Sequence, residues 1–253
     1  MAQNLNPQQQ AALQYIDGPL LVLAGAGSGK TSVITKKIAY LVEDCGIPAR
    51  NIAAVTFTNK AAREMKARVS SLLGKENGKG LTVSTFHNLG LTIIRTEIKA
   101  LGFRPGFSIL DQEDCRKLIK ELLVRHTELD EKLIDTAQNT ISNWKNSLLE
   151  PGSAVSAANS TGEQGIAMLY ERYQRALKAY NAVDFDDLIM TPVLLFKQQP
   201  EILAKWQRRI RYLLVDEYQD TNLAQYELVK TLVNEKQALT VVGDDDQSIY
   251  AWR

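Results

Sequence analysis

Five short apolar runs punctuate the chain: Leu20–Leu23, Ile52–Phe57, Leu81–Thr85, Tyr212–Val215 and Leu239–Val242. They are rich in β-forming residues and apolar throughout rather than alternating. Strands buried on both faces, as in a parallel sheet, have this pattern. Apolar residues at helical spacing follow several of them, over Thr31–Val42, Lys60–Leu73 and Asn222–Val233. Strand alternating with helix predicts an α/β sheet flanked by helices.

Between the third and fourth runs the pattern changes. Leu89–Ala100, Asp111–His126, Asp130–Leu148 and Glu163–Tyr180 have helical periodicity, and no strand signal interrupts them. Asp111 and Asp114 supply a cap and an acidic first turn. The small polar stretch "PGSAVSAANSTG", residues 151–162, predicts a loop. The expected organisation is an α/β domain over 1–88, an all-helical insertion over 89–195, and the rest of the α/β domain over 196–253.

Each apolar run ends in polar or unusual residues. Ala24-Gly-Ala-Gly-Ser-Gly-Lys-Thr31 follows the first, Thr56-Phe-Thr-Asn-Lys60 the second and Thr85-Phe-His87 the third. Asp216-Glu-Tyr-Gln-Asp-Thr221 follows the fourth and Gly243-Asp-Asp-Asp-Gln247 the fifth. Open parallel sheets build ligand sites at the carboxyl ends of their strands.

The first ending fits a phosphate-binding loop, with Ala24 in place of the usual first glycine. Gly25, Ala26, Gly27, Ser28 and Gly29 let the backbone wrap a phosphate and aim its N–H groups inward. The helix that opens near Lys30 adds its positive end. Lys30 is expected on the β- and γ-phosphates and the Thr31 hydroxyl on Mg²⁺. At the fourth ending Asp216 is expected to hold hydrated Mg²⁺, and Glu217 to orient or deprotonate the attacking water. Paired acids at a strand tip can also cap a helix. Beside the phosphate loop they argue for hydrolysis of a nucleoside triphosphate, with ATP and Mg²⁺ as cofactors.

The second and third endings offer hydroxyls, an amide, a cation and aromatics. Such groups contact nucleic-acid backbone and stack on unpaired bases. Taken alone, Phe57 and Phe86 also read as core packing, and His87 as a hydrogen-bonded structural histidine.

Composition excludes some classes. Apolar residues make up 45% and charged residues 23%, as in an ordinary soluble globular protein. No apolar run reaches the ~18 residues that a membrane helix needs, and "MAQNLNPQQQ" has no secretory pattern. Cys45 and Cys115 read as free thiols of a reducing compartment. The net charge of +1 hides an asymmetry. Residues 1–100 carry 12 Lys/Arg against 6 Asp/Glu, and the remainder 18 against 23. A basic first part suits a polyanion, and equally a solvated surface.

Several stretches together resemble a known family. "LNPQQQAAL", "AGAGSGKT", "AAVTFTNKAAREM", "VSTFHNLG", "VDFDDLI", "LLVDEYQDTN" and "VVGDDDQSIYAWR" are similar, in order, to motifs of superfamily 1A DNA helicases of the UvrD/Rep/PcrA type. The resemblance covers the whole chain. It implies a RecA-like P-loop NTPase domain, 1A, interrupted by a helical domain, 1B. It implies that Gln9 contacts adenine and that Gln247 sits near the γ-phosphate. It further implies that Phe57, Thr58, Asn59, Lys60, Thr85, Phe86, His87, Tyr250 and Trp252 bind single-stranded DNA. Ser32 stands where many relatives have arginine.

The activity implied is that of an ATP-dependent 3′-to-5′ DNA helicase acting on single-stranded DNA and single-strand/duplex junctions. The setting implied is the bacterial cytoplasm and nucleoid, with replication or repair proteins as partners and no membrane. Relatives continue into domains 2A and 2B, which supply arginines to the γ-phosphate. Those domains are absent from these 253 residues, so the expectation is weak binding of nucleotide and single-stranded DNA without unwinding. Two alternatives share these motifs: the motor part of a helicase–nuclease subunit, and a non-motor, ATP-switched DNA-binding module.

Overall fold

The computed structural model describes residues 5–25, 27, 29–123, 131–233 and 238–244. The expectations for Ala26, Ser28, Gln247, Tyr250 and Trp252 lie outside the described residues.

In chain order the first elements are α1 (Pro7–Gln14), β1 (Leu20–Leu23), α2 (Lys30–Glu43), β2 (Ile52–Thr56), α3 (Asn59–Asn77), β3 (Thr82–Thr85) and α4 (Phe86–Thr96). Then come β4 (Ser108–Ile109), α5 (Gln112–Leu123), α6 (Glu131–Asn146), α7 (Pro151–Ala157), α8 (Thr161–Ala179) and β5 (Ala182–Val183). The last are α9 (Asp187–Gln198), α10 (Pro200–Arg209), β6 (Tyr212–Val215), α11 (Leu223–Leu232) and β7 (Ala238–Gly243). The chain divides into two compact units. The first takes residues up to Leu89, Phe196–Thr221 and those from Tyr226 on; the second takes Gly90–Leu195 and Asn222–Gln225.

The first unit is built on a five-stranded, all-parallel sheet of order β1-β7-β6-β2-β3. The five apolar runs form its strands. Ile34, Ile38 and Leu41 recur at helical spacing on α2, and Met65, Val69 and Leu73 on α3. Both stripes pack on Ile52, Ala54, Tyr212, Leu214 and Val242 of the sheet. Burying each large side chain contributes about 1.5–3 kcal/mol. β1 departs from the expectation of strands buried on both faces. It is an edge strand, and Leu21 and Leu23 remain 56% and 58% exposed while Val22 packs against the core.

The second unit is helical, with α5, α6 and α8 around a core that includes Ile119, Ile134, Ile141, Tyr170, Tyr173 and Leu177. Two expectations are corrected here. β4 and β5 form a two-residue parallel pair, Ser108 opposite Ala182 and Ile109 opposite Val183. So short a strand has no periodicity to read. Residues 151–157 are the helix α7 rather than loop, since Pro151 presets its first turn and Ala154 is buried.

Lys145 is fully buried in this unit, with its ammonium 2.6 Å from Asp184 Oδ2 and 2.8 Å from Asp187 Oδ1. The Tyr173 hydroxyl donates to Asp184 Oδ2 at 3.0 Å. Burial works against the ammonium, but the two carboxylates outweigh it and keep Lys145 charged, above the ordinary lysine value. Asp186, between them, accepts from Asn146 at 2.9 Å, and Asn146 Oδ1 accepts from Asn222 at 2.7 Å.

Candidate functional site

Strand order turns five separated sequence segments into one row. At the carboxyl edge of the sheet the phosphate-loop segment (after β1) is followed by Asp244 (after β7), then Asp216 and Glu217 (after β6). The segments after β2 and β3 lie beyond them. Residues that suit a nucleotide thus cluster on one side, and those that suit nucleic acid on the other. All of them belong to the first unit.

Two glycines shape the loop backbone. Gly27 and Gly29 have φ of 73° and 86°, a left-handed conformation that a side chain would strain. Gly29 caps α2, and its carbonyl accepts from Ser32 N at 2.8 Å and Val33 N at 3.1 Å. Lys30 and Thr31 therefore fall in the first turn, at the positive end of the helix. Ala24 N donates to Gly243 O at 3.0 Å, which anchors the loop to the end of β7.

Lys30 is buried and makes a 3.0 Å ion pair with Asp244 Oδ2, itself 1% exposed. Sequence reasoning quoted "GDDD" without giving its first acid a role. The structure gives Asp244 one, as the counter-ion of the phosphate-loop lysine.

Asp216 is 3% exposed at the tip of β6. Burial, with Glu217 adding repulsion, pushes its carboxyl up to about 6. Glu217 N donates to Asp216 Oδ1 at 3.1 Å. Glu217 itself has φ 53° and ψ 43°, left-handed geometry that is rare outside glycine, asparagine and aspartate. This twist turns the chain sharply off the strand into a short 3₁₀ turn over Tyr218–Asp220.

Gln219, in that turn, was missed from sequence. Its Nε2 donates to Glu217 Oε2 at 2.9 Å, and its Oε1 accepts from Asp244 N at 3.1 Å. A methyl group on Gly243 would stand 3.0 Å from that same oxygen, so the Gln219 side chain packs closely on the end of β7. One side chain thus joins the strand ends that carry Glu217 and Asp244. Only its placement identifies it; "DEYQD" offered no signal beyond polarity.

Gln9 lies on α1, in a reciprocal capping box with Asn6. Gln9 N donates to Asn6 Oδ1 at 2.8 Å and Asn6 N to Gln9 Oε1 at 3.0 Å. Gln9 Nε2 is 3.4 Å from where a Gly29 Cβ would be, so the side chain reaches the phosphate loop. The other end of α1 is held by the fully buried Lys37, which donates to Ala12 O at 2.6 Å and Tyr15 O at 2.5 Å. A cation at a helix carboxyl terminus is well placed. Burial brings Lys37 down to about 8.

On the other side, Thr58 caps α3 by accepting from Ala61 N at 3.1 Å, which leaves Asn59 and Lys60 exposed in its first turn. Asn88, not singled out from sequence, donates to Asn59 Oδ1 at 3.1 Å and links the β2 and β3 endings. Thr85 is buried and accepts from Asn88 N at 3.2 Å. Phe57 and Phe86 meet edge to face, 5.5 Å between centroids. Phe86 is 1% exposed and offers no ring face to a base; it is a core residue that backs Phe57, which is partly exposed. Burial pushes the His87 imidazole down to about 4, which makes it a neutral ring at physiological pH.

Among the described residues no group of three or more His, Cys, Asp or Glu side chains is placed to hold a metal. A divalent cation here would draw most of its oxygens from phosphate and water, the habit of Mg²⁺. Among the described residues, no helix is long and apolar enough to cross a membrane.

The UvrD/REP helicase N-terminal domain family matches residues 5–253. The chain belongs to this family. It is 56% identical over 249 residues to the ATP-dependent DNA helicase Rep of Escherichia coli K12, a match covering 98% of this chain and 37% of that protein. It is 49% identical over 251 residues to the ATP-dependent DNA helicase PcrA of Bacillus subtilis 168, covering 98% and 34%. A PcrA of Staphylococcus epidermidis is 46% identical over 255 residues, covering 100% and 35%. The chain thus spans little more than a third of the length of the curated relatives it matches. The parallel sheet flanked by helices is that of a RecA-like helicase domain.

Proposed function

We propose that this chain is the N-terminal motor part of an ATP-dependent 3′-to-5′ DNA helicase, its first unit acting as domain 1A and its second as domain 1B. The observation that carries the reading is the buried Lys30–Asp244 pair, tied through Gln219 to Glu217 and standing beside Asp216. This is a charge-balanced resting arrangement into which a polyphosphate fits. Arriving phosphates draw Lys30 away from Asp244 and exchange one anionic partner for another. Gln9, beside Gly29, meets the base.

Asp216 and Thr31 fit a Mg²⁺ ion. Asp216 is a buried anion at neutral pH with one oxygen turned to Glu217 N, and Thr31 carries its hydroxyl in the first turn of α2. The ion, when bound with ATP, would neutralise charge on the phosphate oxygens. Glu217, its carboxylate held by Gln219, orients water and takes its proton. Thr58, Asn59, Lys60, Thr85 and His87 contact single-stranded DNA, with Phe57 as the stacking ring. Tyr250 and Trp252 complete that contact, and Gln247 reads the γ-phosphate.

On this reading the chain binds nucleotide at the first end of the strand row and single-stranded DNA at the other. Binding of a fluorescent ATP analogue and of a labelled oligonucleotide tests the reading. Lys30→Ala should abolish nucleotide binding and spare DNA binding. Lys60→Glu should weaken oligonucleotide binding and spare nucleotide binding. Unchanged nucleotide affinity in Lys30→Ala would defeat the reading.

A further inference from the structure

The opposite, amino-terminal edge of the same sheet carries a second feature that the nucleotide site does not use. The segments leading into three adjacent strands are basic: Arg50 before β2, Lys79 before β3, and Arg208, Arg209 and Arg211 before β6. All five side chains are exposed. Strand register fixes their order. Ile52 pairs with Tyr212 and Ala53 with Thr82, so Arg211 stands beside Asn51, and Arg50 beside Lys79. Adjacent strands lie about 4.8 Å apart, which brings the cations within one or two phosphate spacings of one another.

The surface is rigidly built. Arg211 N donates to Asn51 O at 2.8 Å, and Asn51 Nδ2 donates to Arg209 O at 2.9 Å. A Cβ on Gly80 would come 2.8 Å from Arg50 Cβ, so these two segments are in close contact. The Arg209 guanidinium lies 4.8 Å from the centroid of the buried Trp206 ring, which holds its fork flat. None of the five makes an ion pair with a described residue. Glu76, at the end of α3, is the near acid in sequence to Lys79, and Asp17 precedes the far edge strand β1.

From these observations we propose that this edge is a second nucleic-acid contact, which grips the phosphodiester backbone without reading sequence. Four of the five cations are arginines, whose planar forks match phosphate oxygens. None of the large exposed apolar side chains lies in these segments. An acidic peptide with hydrophobic anchors would find no seat here, whereas a uniformly charged backbone needs none. This surface lies at the end of the sheet away from Asn59 and Lys60, so it lets the protein hold a second stretch of DNA.

The test uses this chain with Arg50, Lys79, Arg208 and Arg211 all changed to Glu, and a labelled mixed-sequence duplex as probe. Removing one cation from a phosphate flattens the dependence of log affinity on log salt by about 0.9. The expected result is a slope reduced by about 2–4 and at least a tenfold drop in affinity at low salt, with nucleotide affinity and melting temperature retained. Should the charge-reversed variant not fold, the neutral Arg50→Gln/Arg208→Gln/Arg211→Gln variant should still flatten the slope by about 2–3. Unchanged slope and affinity in a folded variant would overturn the proposal. So would intact duplex binding together with abolished binding of poly-glutamate, which would mark the surface as a dock for acidic peptides.

Discussion

Lys30 Nζ and Asp244 Oδ2 meet at 3.0 Å across 214 positions of sequence, both almost wholly buried. Each is the other's answer to the cost of burying charge. Removing one partner of a buried ion pair typically costs about 3–5 kcal/mol. Lys30→Met should therefore lower stability sharply, and Lys30→Met/Asp244→Leu should recover most of the loss. Urea unfolding of the two variants checks this. Equal instability of single and double variants would mean the pair does not govern the site's stability.

Asp216 gives a pH dependence with a definite sign. Its folded-state value, pushed up to about 6, lies above the unfolded value near 3.9. The folded protein thus binds this proton more tightly than the unfolded chain does. The stability it contributes is present below about pH 4 and lost as pH rises through 6. Asp216→Asn should stabilise the nucleotide-free chain at pH 7.5, by on the order of 2 kcal/mol. The gain should shrink toward pH 4. Thermal melts across that range decide the matter, and a gain independent of pH would contradict it.

Nucleotide affinity should follow the same titration from the other side. Below pH 6 the Asp216 proton competes with a cation, so Mg²⁺-dependent binding should weaken about tenfold per pH unit, with one proton released on binding. Fluorescence titration of nucleotide binding with and without Mg²⁺ checks this: the dependence should be steeper with Mg²⁺ than without, where only the nucleotide's own terminal phosphate titrates.

The sheet was legible because its strands are continuous apolar runs, and because helices α2 and α3 repeat Ile34, Ile38 and Leu41, and Met65, Val69 and Leu73, at helical spacing. Glycine positions and the acids after β6 were legible because phosphate chemistry demands particular residue types. The site's internal wiring was not. Gln219 and Asn88 are ordinary polar residues, and only the strand order places one between Glu217 and Asp244 and the other against Asn59. Phe86 shows the two readings parting. Taken alone it reads as core packing, and its 1% exposure in the first turn of α4 agrees with that rather than with the stacking that the resemblance implies.

His87 is expected to be silent to pH. With the imidazole pushed down to about 4, the ring is neutral from pH 5.5 to 8 and cannot switch DNA grip by protonation. The affinity of the chain for a single-stranded oligonucleotide, corrected for Asp216-linked nucleotide effects by omitting ATP, should be flat across that interval. An inflection near pH 6.5 that vanishes in His87→Gln would show a solvated, titrating histidine instead.

Gly90 and Pro192 share one carbonyl within the second unit. Pro192 lies inside α9 and has no N–H for Leu188 O, four residues earlier, the acceptor an ordinary helix would satisfy there. Gly90 of α4 presses against that freed carbonyl so closely that a Cβ would stand 1.8 Å from its oxygen. The two helices can approach only because one residue lacks a side chain and the other lacks a donor. Gly90→Ala should force the backbones apart and cost at least about 1–3 kcal/mol, despite alanine's better helix propensity. Gly165, at which a Cβ would meet nothing within 4 Å, is the control, and Gly165→Ala on α8 should be neutral or gain up to about 1 kcal/mol. Chemical unfolding of the two variants side by side separates close approach from propensity, and a Gly90→Ala protein as stable as the parent would refute the close approach.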